Sequence, residues 1–234
     1  MAKKTVVLIT GSNSGIGEAV ADYFHKSGNT IIPIDYNDNN VNKKWNTNLV
    51  DLCNETSVEC FFKSLDHIDI AINCAGVSGS RKRIIDYAAD EFVDEFSLNF
   101  KALLNPLKNE LLIMKKQNHG NIINISSITA HKGMSNMSTY STAKAAILNL
   151  TKVAAIEHHQ NNIQVNSISP ATIDTPLIRK KYNGTLKDYS KIYYTHNCGT
   201  TNDVVSVVKM LISNQFLTGS DVKLDGGITD LLKI

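Results

Sequence analysis

A chain of 234 residues can bury one substantial hydrophobic core, and its 42% hydrophobic and 20% charged residues are ordinary for a globular protein. A net charge of +2, with no basic tract beyond the short Arg81-Lys82-Arg83 run that reads as a solvated loop, argues against nucleic acid as a partner. No apolar run approaches the roughly 20 residues that span a bilayer, so no membrane partner is expected.

In chain order, Thr5-Val-Val-Leu-Ile-Thr10 reads as a strand buried on both faces, because its apolar run is continuous rather than alternating. A glycine-bearing turn follows, and then Ile16, Ala19, Val20, Tyr23 and Phe24 recur at helical spacing. Thr30–Asp35 predicts a second strand, in which Pro33 removes a ladder donor and requires a bulge or a local exception. A third strand segment falls within Trp45–Leu49, and further strands within Ile68–Asn73, Asn121–Ser126, Ile163–Ser169 and Ser220–Leu224. Helical patterns cover Glu91–Gln117, Ser138–His159 and Asp203–Ser213. This alternation predicts an α/β fold: a doubly wound parallel sheet with helices on both faces and right-handed crossovers. No linker, composition shift or internal repeat divides residues 1–234, which read as one domain.

Gly11, Gly15 and Gly17 lie in a turn between a strand and a helix, where backbone without Cβ can approach a pyrophosphate at a helix N-terminus. A tight turn without ligand has the same sequence. Asp35, at the end of the second strand about 20 residues on, is placed to accept from both ribose hydroxyls and to repel a 2′-phosphate. No arginine occurs in the turn, where Ser14 precedes Gly15, and Tyr36 and Asn37 follow Asp35, so NAD(H) is favoured over NADP(H).

Tyr140 and Lys144 stand four residues apart on one helix and share a face. Tyrosine ordinarily titrates near pH ~10, and a nearby ammonium favours the phenolate. Such a pair can pass a proton to or from a carbonyl oxygen that Ser127, at a strand end, would hold. An exposed tyrosine–lysine pair is the plain alternative; Ser127 and the glycine turn decide against it. No metal site is expected, because the adjacent His158 and His159 lack one-face spacing. The four cysteines, Cys53, Cys60, Cys74 and Cys198, show no Cys-x-x-Cys spacing and read as free thiols. Met1-Ala-Lys-Lys4 leads directly into the first strand with no targeting segment, so a cytoplasmic location is expected.

Across nearly its whole length the sequence resembles the short-chain dehydrogenase/reductase family. Thr10-Gly-x-x-x-Gly-Ile-Gly17 is similar to its cofactor loop, Asp51-Leu52 to its adenine-contacting pair, and Asn73-Cys-Ala-Gly76 to its Asn-Asn-Ala-Gly sequence. Asn99, Ser127, Tyr140 and Lys144 fall in the order of its catalytic tetrad. Asn166-Ser-Ile-Ser-Pro170, Ile173 and Thr175 resemble the segment that meets the nicotinamide carboxamide, and Leu224-Asp-Gly-Gly227 the C-terminal strand ending. The resemblance implies a Rossmann-like sheet of seven strands and cofactor contacts from Gly11, Ser12, Asn13, Gly15, Ile16, Gly17, Asp35, Asp51, Leu52, Asn73, Ala75, Gly76, Tyr140, Lys144, Pro170, Ile173 and Thr175. It also implies Tyr140 as acid/base, Lys144 lowering its pKa and holding the nicotinamide ribose, Ser127 orienting the substrate oxygen, and Asn99 anchoring a water in a proton relay. Two positions depart from the pattern. Cys74 replaces an asparagine, and Ala171 stands where glycine is usual, which would be strained if φ there is positive.

Substrate specificity is expected from the stretch between Ser127 and Tyr140, with His131, Met134 and Met137, and from residues 176–202. The latter, with Leu177, Ile178, Tyr182, Tyr189, Tyr193, Tyr194, Arg179, Lys180 and Lys181, reads either as a lid with an apolar inner face or as two surface helices. Together these features predict an NAD(H)-dependent oxidoreductase acting on a secondary alcohol or ketone. The runner-up is a 3-oxoacyl-acyl-carrier-protein reductase using NADPH. Arg179 resembles one of that subfamily's basic carrier anchors, while Asn121 stands at the other. A non-catalytic nucleotide-binding regulator is the alternative of another class. Resemblance also implies a homodimer or homotetramer, with Ala143, Ala146, Ile147 and Leu150 compatible with a contact surface.

Overall fold

The computed structural model of the protein describes residues 4–36, 45–181 and 191–230. Strand β1 (Val6–Thr10) leads into helix α1 (Gly15–Lys26), followed by β2 (Thr30–Asp35), β3 (Asn48–Leu49) and α2 (Glu55–Phe62). Next come β4 (Ile70–Asn73), α3 (Ala89–Gln117), β5 (Gly120–Ile125), α4 (Ser138–His158) and β6 (Ile163–Pro170). The chain then forms β7 (Ile173–Asp174), α5 (Pro176–Lys181), β8 (Gly199–Thr200), α6 (Thr201–Ser213) and β9 (Asp221–Leu224).

Seven strands make one sheet in the order β3-β2-β1-β4-β5-β6-β9, with every neighbouring pair parallel. This is the expected doubly wound, Rossmann-like α/β arrangement. The apolar runs are continuous because alternate residues serve two cores. Leu8, Ala71 and Ile122 face a core completed by α2, α3 and α4. Val7, Ile9, Ile70, Ile72, Ile123 and Ile125 face one completed by α1 and α6. Each large aliphatic side chain fully buried there contributes roughly 1.5–3 kcal/mol relative to exposure.

Pro33 sits in an unbroken register with Ile9, so no bulge is present. The Thr30 N–H donates to Thr5 O at 3.0 Å, which turns the N–H groups of alternate residues toward β1 and leaves Pro33 nitrogen on the other side. There β3 pairs only with Ile34 and Asp35, so the missing donor costs no ladder bond. Helix α2 was not anticipated. Asn54 caps it by accepting from the Ser57 N–H at 3.0 Å, and Val58 and Phe62 bury its inner face. The small β7–β8 pair was not anticipated either. Helix α6 begins in a reciprocal capping box between Thr200 and Asp203.

The strand order changes direction between β1 and β4, and the C-terminal ends of these strands open a crevice. Among the described residues, no helix is long and apolar enough to cross a membrane.

Candidate active site

The crevice is a cleft of about 730 Å³. Gly11, Gly15 and Gly17 form its floor at the end of β1, and two of them have positive φ, +68° at Gly11 and +56° at Gly15. A Cβ on Gly17 would lie 2.1 Å from Gly11 O, and one on Gly11 would lie 3.0 Å from Ala75 N. Side chains are therefore excluded where the turn, the start of α1 and the β4 loop meet. The result is a backbone cradle at a helix N-terminus, which fits a pyrophosphate. Ile16, Asp35, Asp51, Leu52, Ala75, Gly76, Pro170, Ile173 and Thr175 line the same cleft.

Three expected cofactor contacts, Ser12, Asn13 and Asn73, and the expected catalytic Asn99 serve the walls from behind. Ser12 is fully buried and donates from Oγ to Ile34 O at 3.2 Å. Asn13 donates its N–H to Asp35 Oδ2 at 3.0 Å, while its own Oδ1 accepts from Thr47 at 2.7 Å. The carboxylate of Asp35, which also accepts the Tyr36 N–H at 2.8 Å, is thereby fixed at the cleft edge. Asn73 turns its amide into the core, toward Glu110 and Asn124. Asn99 is buried and accepts the Val77 N–H at 3.0 Å, holding the turn beyond Gly76.

Ser127, Tyr140 and Lys144 meet at the other end of the cleft. Ser127 follows β5 and accepts at Oγ from the Thr129 N–H and hydroxyl at 3.2 and 3.1 Å. Helix α4 carries Tyr140 and Lys144 one turn apart, and Ser126 ties it to the sheet by donating to Lys144 O at 2.9 Å. Lys144 Nζ lies 5.7 Å from the Tyr140 ring centroid and donates to Ile125 O at 2.8 Å.

Burial dominates the electrostatics. It lowers Lys144 to about 8, with the Cys74 thiolate form opposing. It raises the Tyr140 phenol above its ordinary value, and only a hydrogen bond with Ser127 works against that. The expected lowering of Tyr140 by Lys144 is therefore not met in this arrangement: desolvation is the larger effect on both groups. Cys74, also in the cleft wall, is pushed up to about 12 by burial and is a poor nucleophile.

Other expectations resolve differently. Ala171 is absent from the described non-glycine residues with positive φ, so alanine carries no left-handed strain there; its N–H donates to Leu224 O at 2.9 Å. Met134 and Met137 do line the cleft. His131 instead turns toward β6 and β9, with Nε2 2.8 Å from Asp221 Oδ2 and 3.3 Å from Ser169 Oγ. Ala143 and Ile147 are buried within the chain, and the exposed apolar residues of α3 and α4 include Leu112, Val153 and Ile156. Ile178 reaches the cleft from α5, while Tyr193 is buried and its hydroxyl accepts the Thr172 N–H at 3.1 Å. Tyr182 and Tyr189, and the side chains of Leu177, Lys180 and Lys181, lie outside the described residues, as does Asn37. Arg179 forms a two-pronged pair with Asp174 at 2.6 and 2.7 Å, and Asn121 is buried against Gln164.

Arg81 lies in an exposed loop, as expected, and also lines the cleft; its place five residues beyond Gly76 is the sequence signal for that. Lys82 and Arg83 of the same run pair with Glu91 and Asp86.

Comparison with known proteins agrees with this geometry. The family profile described as "Enoyl-(Acyl carrier protein) reductase" matches residues 11–229. "Dehydrogenase/reductase SDR family member 6" of Xenopus laevis is 30% identical, over 95% of this chain and 96% of its own length. The solved structure of ElxO with NADP bound has a TM-score of 0.89 at 27% identity, covering 98% of this chain and 100% of its own. An NAD+-bound xylitol dehydrogenase has a TM-score of 0.87 at 26% identity, covering 95% and 98%.

Proposed function

The chain belongs to the short-chain dehydrogenase/reductase family of NAD(P)-dependent oxidoreductases, and from that membership we propose that it prefers NAD(H) and interconverts a secondary alcohol and a ketone. One observation carries the reading: a glycine cradle, a carboxylate at the ribose end and a serine–tyrosine–lysine group share one cleft.

The nicotinamide, when bound, supplies or accepts the hydride. Tyr140 Oη gives the proton to the nascent alkoxide in reduction, or takes it from the alcohol in oxidation. Ser127, which hydrogen-bonds to Tyr140, holds the substrate oxygen beside that proton. The Lys144 ammonium, fixed by Ile125 O, offsets the negative charge that the phenolate acquires. Asn99, which also fixes the turn after Gly76, would anchor a water in a proton relay. The cradle would hold the pyrophosphate, and Asp35 the adenosine ribose.

Asp35 carries the preference for NAD(H), because its fixed carboxylate would meet a 2′-phosphate with like charge. Titration with NADH and NADPH separately, followed by protein fluorescence, tests this. Tighter NADH binding is expected, and tighter NADPH binding would reverse the assignment. The carrier-protein reading is not favoured, since Arg179 is engaged by Asp174 and Asn121 is buried. We further propose a homo-oligomer that uses exposed apolar residues of α3 and α4. The four free cysteines accord with a reducing, cytoplasmic compartment.

A further inference from the structure

The opposite end of the sheet, where the strands begin, gathers three side chains that the cleft does not use. His67 and Asp69 precede β4, and His119 precedes its neighbour β5. Asp69 Oδ1 lies 2.7 Å from His67 Nε2 and 3.0 Å from His119 Nε2. The three ligand-capable atoms all fall within 4.8 Å of one another. The other carboxylate oxygen of Asp69 accepts the Val6 N–H at 2.7 Å, which fixes the direction of Oδ1. Both imidazoles thus aim the same type of nitrogen at one anionic oxygen. The side chains are 23%, 21% and 47% exposed for His67, Asp69 and His119, so the cluster is framed by protein yet reachable from solvent.

We propose that His67, Asp69 and His119 form a binding site for a divalent transition-metal cation of the zinc, cobalt or nickel class, with solvent completing the coordination. Two imidazoles and one carboxylate suit these cations, whereas magnesium and calcium favour all-oxygen sets. Zinc takes such ligands at ~2.0–2.2 Å, which places tetrahedral neighbours about 3.4 Å apart. To reach that spacing, the 2.7 Å separation from His67 must open by roughly 0.7 Å and the 3.0 Å separation from His119 by roughly 0.4 Å. Binding at Nε2 moves the proton of each ring to Nδ1. Gln117 Nε2 is 2.8 Å from His119 Nδ1 and also donates to Ile68 O and His119 O, so the Gln117 side chain must move off Nδ1 when the metal binds.

The site would act on the fold rather than on hydride transfer. It joins the starts of β4 and β5 through a residue that also holds β1. A cation bound only there stabilises the folded chain by mass action.

The test is titration of tag-free, metal-stripped protein with zinc chloride by calorimetry, with melting followed in parallel and cobalt absorption as a second probe. One equivalent should bind and raise the melting temperature. His67→Ala and His119→Ala should each weaken binding by at least the ~10–100-fold loss that follows removal of a mere supporting partner. A His158→Ala, His159→Ala double variant should bind as the parent does. His119 is the most exposed of the three, so its variant decides the matter should His67→Ala fold poorly. Absence of saturable binding, or binding undiminished in His119→Ala, would overturn the site and leave a hydrogen-bonded histidine–aspartate clasp.

Discussion

Asn73 Nδ2 donates to Glu110 Oε2 at 3.0 Å inside the core, joining the residue that opens the Asn73–Gly76 turn to the C-terminal half of α3. The same nitrogen donates to Asn124, whose amide continues to Thr151 at 2.9 Å. Asn73 Oδ1 and Glu110 Oε1 have no hydrogen-bond partner among the described residues. Burial raises the Glu110 carboxyl from 4.5 to about 8, which favours its protonated form in the core.

The sign of the resulting pH effect is definite. Between 4.5 and about 8 the folded protein holds a proton on Glu110 that the unfolded chain has released, so stability falls as pH rises through that window. Glu110→Gln keeps a neutral side chain of the same shape and should flatten this decline. Urea denaturation of both proteins at several pH values in that window measures it; parallel profiles would show that Glu110 is ionised throughout.

Lys144 shows the opposite slope. Its buried ammonium is lowered from 10.5 to about 8, so the folded chain releases the proton first and stability rises with pH between those values. Lys144→Met should abolish that rise and turnover together while leaving the protein folded at neutral pH. Denaturation profiles above pH 8 and a turnover assay separate the two effects.

Tyr140→Phe removes only the phenolic oxygen. Cofactor affinity should stay close to that of the parent, while kcat falls by roughly 10²–10⁴, the range for losing a positioned proton donor. Retained turnover would remove Tyr140 from the acid/base role.

Gly17→Ala places a methyl group 2.1 Å from Gly11 O. The turn must move, at a cost of about 1–3 kcal/mol typical of overpacking, and nucleotide binding should be lost with it. Gly133, with nothing within 4 Å of an added Cβ, is the matched control and should accept alanine without loss of stability.

Asp35→Asn retains an oxygen for the Asn13 N–H but removes the charge. The NADPH-to-NADH affinity ratio should rise by about tenfold, which corresponds to about 1.4 kcal/mol of relieved repulsion. An unchanged ratio would place cofactor choice elsewhere.

Much of this architecture was legible because its signals are local. Strands β1, β4 and β5 announce themselves as apolar runs because both faces are covered, and the Gly11–Gly17 turn and the Tyr140–Lys144 pair each fit within a few residues. What escaped depends on contacts distant in sequence or on very short elements. Glu110 meets Asn73 across 37 residues, and Asp69 meets His119 only because β4 and β5 lie side by side. Helix α2 has only eight residues, and β7 and β8 have two each, too few for periodicity to register. The place of Arg81 in the cleft wall is likewise set by tertiary packing.

The borders of the sheet are short, with two residues in β3 on one side and four in β9 on the other. The adhesive central strands are therefore shielded from neighbouring molecules, because an intruding segment finds too brief a template to zip onto. Pro33 adds to this by withholding a donor on the flank of β2 that β3 leaves uncovered. Edge-to-edge growth into fibrils would first require a border to peel away, so colloidal behaviour in this protein is coupled to the integrity of its rim.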